Sequence, residues 1–224
     1  MYFGFSEDQQ MFYDAVAGLL RDRCTPETVR EAWADPRWRG DELWSALAEQ
    51  GVTAMLVPEA SGGLGMGVLD IVRLLEAAGR VALPLPLADT ALVAPVVLAA
   101  SDHDALEQIA AGMSRASVGY GERPVFPHAA TVDQLIWIHG DEVRIAAPSA
   151  VELTLEPSVD RGRQTGVADP GAQAWQSVGD RNVAQAAFLR AVVGSSAQLL
   201  GLSATMLDMT VEYVKTRKQF GVPV

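Results

Sequence analysis

Three side chains near the end of the chain, Arg217, Gln219 and Phe220, are of types that together could grip a nucleotide. A guanidinium presents a planar fork of donors to a pyrophosphate, and a phenyl ring offers an apolar wall to an adenine. The same three also read as a cationic helix C-terminus satisfying its own dipole, with Phe220 as a hydrophobic cap contact. Residue type alone leaves both readings open.

Other candidates are weaker. Gly62, Gly63, Gly65 and Gly67 suggest a phosphate loop, but a dinucleotide fingerprint needs a strand before it and a second parallel strand after its helix. Pro58 breaks the approach and Pro84 and Pro86 follow the helix, so a tight turn between helices is expected. His103, His128 and His139 fall in unrelated segments without metal-ligand spacing. Ser195-Ser196 lie mid-helix without a nucleophile elbow, and Glu212 reads as a solvated carboxylate. Cys24, the single cysteine, can form no intramolecular disulfide and reads as an apolar filler.

The element that must carry the tip is Val183 to Val224, read as one very long helix stopped by Gly221 and Pro223. Its apolar stripe runs through Leu189, Val192, Val193, Leu199, Leu200, Leu207, Val211 and Val214. Gly194, Ser195, Ser196 and Gly201 make one strip thin enough for another helix to approach closely. No later segment of the sequence covers the stripe, so something outside it must.

Upstream, Ser6-Glu7-Asp8-Gln9 is a capping box, with Phe12, Val16, Leu19 and Leu20 on one buried face. Thr25-Pro26 opens a second helix with Val29, Ala32 and Trp33 inward. Leu43, Trp44 and Leu47 mark a third, closed by Gly51. Val52 to Pro58 is expected to be extended. A fourth helix carries Val68, Ile71, Val72 and Leu75, Arg80 to Asp89 should be a rigid, mostly extended loop, and helices follow around Pro95 and after Ser101. The period then changes: Val118 and Tyr120, Leu135 to Ile138, Val143 to Ala147, Val151 to Leu155 and Gly166 to Ala168 read as a small antiparallel sheet ending near Trp175.

The chain has 224 residues, 49% of them hydrophobic and 20% charged, enough to fill a core. A net charge of −11 argues against nucleic acid and anionic lipid as partners. No basic n-region precedes Glu7, and the apolar run Ala91 to Ala100, broken by Pro95, is too short to span a bilayer. A cytoplasmic protein is expected.

The chain resembles the acyl-CoA dehydrogenase family over its whole length. Phe5-Ser6-Glu7-Asp8-Gln9-Gln10 is similar to the family's opening, and Leu43 to Gly51, Val57-Pro58-Glu59 and Gly62-Gly63-Leu64-Gly65 to its third helix and loop. Glu76-Ala77-Ala78-Gly79-Arg80 and Pro84-Leu85-Pro86 match the segments that come next in the family's order. Tyr213 to Gly221 is similar to the Tyr-x-x-x-Arg-x-Gln-Phe-Gly signature. The resemblance implies an α+β fold: an N-terminal α-helical domain (1–112), a small reduced β-domain (113–178) and the first long helix of a C-terminal helical bundle (179–224). It also implies FAD and an acyl-CoA substrate desaturated between its α and β carbons, a carboxylate removing the α-proton while the β-hydride goes to the flavin. Arg217, Gln219 and Phe220 then serve the FAD of a neighbouring subunit, Arg217 at the pyrophosphate and the other two beside the adenosine.

The departures are as informative. The family's Thr-Glu-Pro-x-x-Gly-Ser-Asp strand and Trp-x-Thr-Asn-Gly segment have no counterpart here. Where some members place a catalytic Glu early in the long helix, this chain reads Leu189-Arg190-Ala191-Val192; others supply the base from a segment that would lie past Val224. The chain most resembles a short subunit of the two-subunit dehydrogenases acting on steroid side-chain CoA esters, lending contacts to a catalytic partner. Two other readings remain: a homo-oligomeric dehydrogenase missing part of its sequence, and a structural subunit that binds neither FAD nor CoA.

Overall fold

The computed structural model describes residues 4–99, 101, 103–219 and 222–223. Its first helix, α1 (Glu7–Arg23), starts on the expected capping box, Ser6 Oγ accepting the Gln9 N–H at 3.2 Å and Gln9 Oε1 the Ser6 N–H at 2.9 Å. α2 (Pro26–Ala34) begins at Pro26 under a Thr25 cap. α3 (Asp41–Glu49) buries Leu43, Trp44 and Leu47 and gives way to Gly51 at φ 78°. α4 (Val68–Arg80) buries Ile71 and Leu75, with Val68 and Val72 packed against the same core.

Three expectations for this half are corrected. Trp33 is 48% exposed, on the rim of the fold. Val52 to Pro58 is a run of turns, Ala54 N–H bonding to Gly51 O and Val57 N–H to Ala54 O. Local hydrogen bonds satisfy that backbone while Val52, Met55 and Val57 enter the core, which an extended chain pointing alternate residues outward could not do. The loop after α4 is non-helical only to Pro86. The chain coils from Leu87 into a π-helical segment, Asp89–Val93, and continues as α5 (Ala94–Leu98) and α6 (His103–Ala110). Pro86 stands just ahead of the first turn, where its missing N–H costs nothing, and its carbonyl accepts Thr90 N–H at 3.0 Å.

The strands form two small sheets. The first has the order β1 (Ala116–Tyr120), β3 (Gln134–His139), β4 (Glu142–Ala146), β7 (Gln176–Gly179). The second has the order β2 (Val125–Phe126), β6 (Thr165–Ala168), β5 (Leu153–Glu156). The first sheet is mixed, not antiparallel throughout: β1 and β3 run parallel, Val118 beside Ile136, because the chain between them crosses over through β2. β2 and β7 carry no alternation to announce them; β7 is a polar edge strand beside β4. Arg115 anchors the start of β1 to the helices, its guanidinium donating to Asp41 Oδ1 at 2.6 Å and lying over the Trp44 ring.

α7 (Arg181–Thr216) is capped by Asp180, whose carboxylate accepts the Asn182 and Val183 amides. Its 36 residues span about 54 Å at roughly 1.5 Å each. It is long and apolar enough to cross a membrane by length and composition. Yet the side it turns to the rest of the chain is its smallest one: Ala184, Ala187, Gly194, Ala197 and Gly201 are buried. A Cβ on Gly201 would lie 1.9 Å from Glu76 O of α4, and one on Gly79 would lie 2.0 Å from Gln198 O of α7. The large apolar residues face away: Leu199, Leu200 and Leu207 are each more than 60% exposed. The helix ends at Thr216, ahead of Gly221 and Pro223, because Arg217 turns extended and Lys218–Gln219 (β8) pairs with Val222–Pro223 (β9). Gly221 itself lies outside the described residues.

Gly201→Ala tests the crossing. Alanine gains about 1 kcal/mol of helix propensity over glycine, but overpacking costs about 1–3 kcal/mol, and here the added methyl meets backbone that cannot rotate away. The expected net loss is roughly 1–2 kcal/mol by urea denaturation, against less than about 0.5 kcal/mol for Ser196→Ala on the exposed side.

Candidate functional site

The tip of α7 is organised by an i, i+4 pair. Arg217 Nη1 donates to the Tyr213 hydroxyl, and the guanidinium carbon lies 5.4 Å from the Tyr213 ring centroid. Lys215 Nζ reaches Glu212 Oε1 at 2.8 Å, and Thr216 Oγ1 donates to the Glu212 carbonyl at 3.0 Å. Tyr213 thus holds Arg217 on one side of the helix and limits the rotamers it samples in solvent. Gln219 is exposed on β8, so two of the expected site residues stand together at the tip, both facing water. Phe220 lies outside the described residues. The donors are of the right kind for a pyrophosphate: an exposed guanidinium on one preset side and an amide two residues on.

A second group gathers where α7 passes the π-helical segment and β1, which sequence reasoning did not anticipate. The extra residue of the π turn brings Asp89 and Thr90 together onto β1. Asp89 Oδ2 accepts Val118 N–H at 3.0 Å, and Thr90 Oγ1 accepts Ala116 N–H at 2.9 Å. Arg190 of α7 donates to Leu92 O at 3.2 Å, satisfying a carbonyl on the same segment. Asp89, Tyr120, His128, Arg163, Ser195 and Gln198 then line a cavity of about 220 Å³. His128 is 6% exposed with its backbone at φ 54°, and its ring makes no hydrogen bond to another described residue. The other two histidines stay apart from it: His103 Nδ1 is 3.4 Å from Ser61 Oγ, and His139 stacks on Trp137. Nothing local could have signalled this group, since its members come from five segments that only the fold brings together.

A larger and more apolar cavity of about 370 Å³ adjoins it, lined by Val29, Trp33, Gly79, Pro84, Leu199 and Leu202 and sharing Arg163, Ser195 and Gln198 with the first. The glycine loop takes no part in either. A Cβ on Gly63 would sit 2.0 Å from Val57 O, so that loop is the tight turn expected. Cys24 is buried and its thiol is pushed up to about 11 by desolvation.

Burial pushes the Asp89 carboxyl up to about 6, against the Val118 hydrogen bond and the Arg163 charge, which pull it down. Burial also pushes His128 down to about 3, with Arg163 and Arg115 adding to the effect. Between the ordinary carboxyl value of about 3.9 and 6, the folded chain holds the Asp89 proton more tightly than the unfolded one, so stability falls as pH rises. For His128 the sign reverses: the unfolded chain binds the proton more tightly from about 3 to 6.5, so stability rises with pH. Asp89→Asn removes only the first contribution. The variant should therefore gain on the wild type by an amount that grows by on the order of 2–3 kcal/mol from pH 4 to pH 7, read from urea midpoints; a difference constant with pH would contradict it.

The model of the acyl-CoA dehydrogenase N-terminal domain matches residues 6–117, half of the chain. The chain is similar to the acyl-CoA dehydrogenase IpdE2 of Mycolicibacterium smegmatis, 29% identical over 220 residues that cover 98% of this chain and 68% of that protein. Among solved structures it is similar in fold to the ChsE4-ChsE5 complex from Mycobacterium tuberculosis, with a TM-score of 0.85, 24% identity and coverage of 100% of this chain and 71% of the other. A variant of the Tcur3481-Tcur3483 steroid ACAD has a TM-score of 0.84 at 21% identity, with coverage of 97% and 69%. The helical units, the mixed sheet and the single long helix have the architecture of these folds, and the chain belongs to the acyl-CoA dehydrogenase family.

Proposed function

We propose that this chain is a cytoplasmic subunit of an FAD-dependent dehydrogenase that desaturates an acyl-CoA thioester between its α and β carbons. In this reading Arg217 and Gln219, together with Phe220, complete the FAD site of a second acyl-CoA dehydrogenase subunit. The observation that carries it is the tip of α7: a guanidinium preset by Tyr213 and beside an amide, on a helix whose large apolar residues stay exposed among the described residues. A flank of that kind asks for further helices to pack on it, and a cation and an amide at its end ask for an anionic ligand.

The chain's own cleft favours a lending role over a catalytic one. α7 carries no Asp or Glu before Asp208, and Arg190, in the neighbourhood where some relatives keep their Glu, is engaged with Leu92 O. Asp89 spends one oxygen on a β1 amide. Two similar structures carry the names of two-chain assemblies, one of them a steroid ACAD, which supports a hetero-oligomer and a steroid side-chain ester as substrate class. A division near residues 112 and 178 into helical, β and long-helix units fits the same reading.

The test is to purify the chain alone and together with the dehydrogenase subunit it co-purifies with, and to measure flavin absorbance. Flavin is expected only in the mixture. Arg217→Ala should weaken its retention by about 10–100-fold, the loss of one charge-assisted hydrogen bond of about 1.5–3 kcal/mol. Unchanged flavin in that variant would make the chain a structural subunit, and flavin in the lone chain would make it a homo-oligomeric dehydrogenase; either result overturns the proposal.

A further inference from the structure

The two cavities along α7 are one groove crossed by one loop. Residues 157–164, joining β5 to β6, leave the sheet and reach over to the helices. The loop is fitted closely to what it crosses: a Cβ on Gly162 would sit 3.2 Å from the Pro84 ring and 3.3 Å from Trp33 Nε1. The Asp160 carboxylate accepts Gly162 N–H at 3.0 Å and lies 3.7 Å from Arg163 Nε, so the turn and its cation brace each other. At the far end Gln164 O accepts Ala129 N–H at 3.2 Å. Arg163 then extends to α7, where Nη2 donates to Gln198 Oε1 at 3.5 Å.

Arg163 therefore stands where the larger, apolar cavity meets the smaller, polar one, and both have it in their walls. Trp33, Pro84 and Leu199 on the outer side would suit an alkyl chain. Asp89 and His128 on the inner side, one ionised above about pH 6 and one an unpartnered imidazole, would not. An elongated apolar ligand following α7 inward would have to push the guanidinium aside. It would break the contacts with Gln198 and Asp160, separate the cation from the buried Asp89, and lay methylenes against the polar side chains of Asp89 and His128. A short ligand could occupy the outer cavity without any of this.

We propose that the 157–164 loop is a strap and Arg163 its bolt, together excluding long acyl chains from this chain's own cleft and leaving such a ligand to a cleft elsewhere in the assembly. The last clause rests on the proposed function; the closure of the cleft does not. Arg163 is half exposed and outside the hydrophobic core, so truncating it removes the bolt without opening a core cavity.

The experiment is calorimetric titration of palmitoyl-CoA, too long for the outer cavity alone and kept below its micellar concentration, into the assembled protein, wild type against Arg163→Ala in this chain only. The wild type should bind no equivalent attributable to this chain. The variant should gain up to one further equivalent per copy of it, with affinity at least about tenfold above any residual wild-type binding. A wild type that already binds one equivalent per copy, or a folded variant that gains none, overturns the strap. Hydrogen exchange of the wild-type 157–164 amides reports without any variant: rates unchanged by palmitoyl-CoA support closure, and altered rates overturn it. Neither readout involves flavin, so failure here leaves the Arg217 assignment standing, and failure of that assignment leaves the strap standing.

Discussion

Backbone contact between α4 and α7 sets the geometry of everything else in this chain. At Gly79 and Gly201 the helices approach until no Cβ fits between them. Helices packed that tightly cannot slide or rotate against each other without a clash, so the crossing fixes the direction of a rod roughly 54 Å long. It also decides which face of the rod is spent. Small residues face the chain's own core, and leucines, valines and methionines are left to face outward. An ordinary amphipathic surface helix does the reverse, placing its largest apolar groups on its own core. The inversion is what makes α7 look like one side of a larger bundle.

The tip and the middle of that rod have different electrostatics. At the tip, charge is exposed and cheap: Arg217 rests on Tyr213 in water and can be given to a ligand with little desolvation. Near its middle, charge is buried. Burial favours the neutral form of both Asp89 and His128, and the nearby Arg163 opposes it at the first and reinforces it at the second, steadying the carboxylate and disfavouring the imidazolium. Titratable groups pushed this far from their ordinary values are common at functional sites. Here Asp89 also has a structural role, since with Thr90 it fastens the helical layer to β1.

How much of this could be read beforehand depends on whether the controlling physics is local. The capping box at Ser6, the Pro26 start, the Gly51 stop and the thin strip through Gly194 and Gly201 are local or strictly periodic, and each lies where residue type placed it. The 52–58 turns and the π-helical start after Pro86 are not local: burying Val52, Met55 and Val57 and reaching β1 with Asp89 override the extended preference those stretches show alone. The parallel β1–β3 pairing depends on a crossover, and β7 on an edge that only β4 supplies. Gly221 reads as the helix stop because glycine often is one, yet the hairpin draws the chain out at Arg217. The polar cavity had no linear signature at all, its residues being scattered from 85 to 198. The tip was legible through the resemblance of Tyr213 to Gly221 to a family signature, and the structure adds a role for the tyrosine: it orients the arginine.

The most direct measurement is a crystal or cryo-electron microscopy structure of the assembly that this chain forms with a flavin-bearing subunit. The account predicts Arg217 lifted from Tyr213 and hydrogen-bonded to the pyrophosphate of an FAD seated mainly in the neighbour, with the outward face of α7 covered by helices. An FAD held wholly within one subunit, with Arg217 still folded against Tyr213 in solvent, would contradict it.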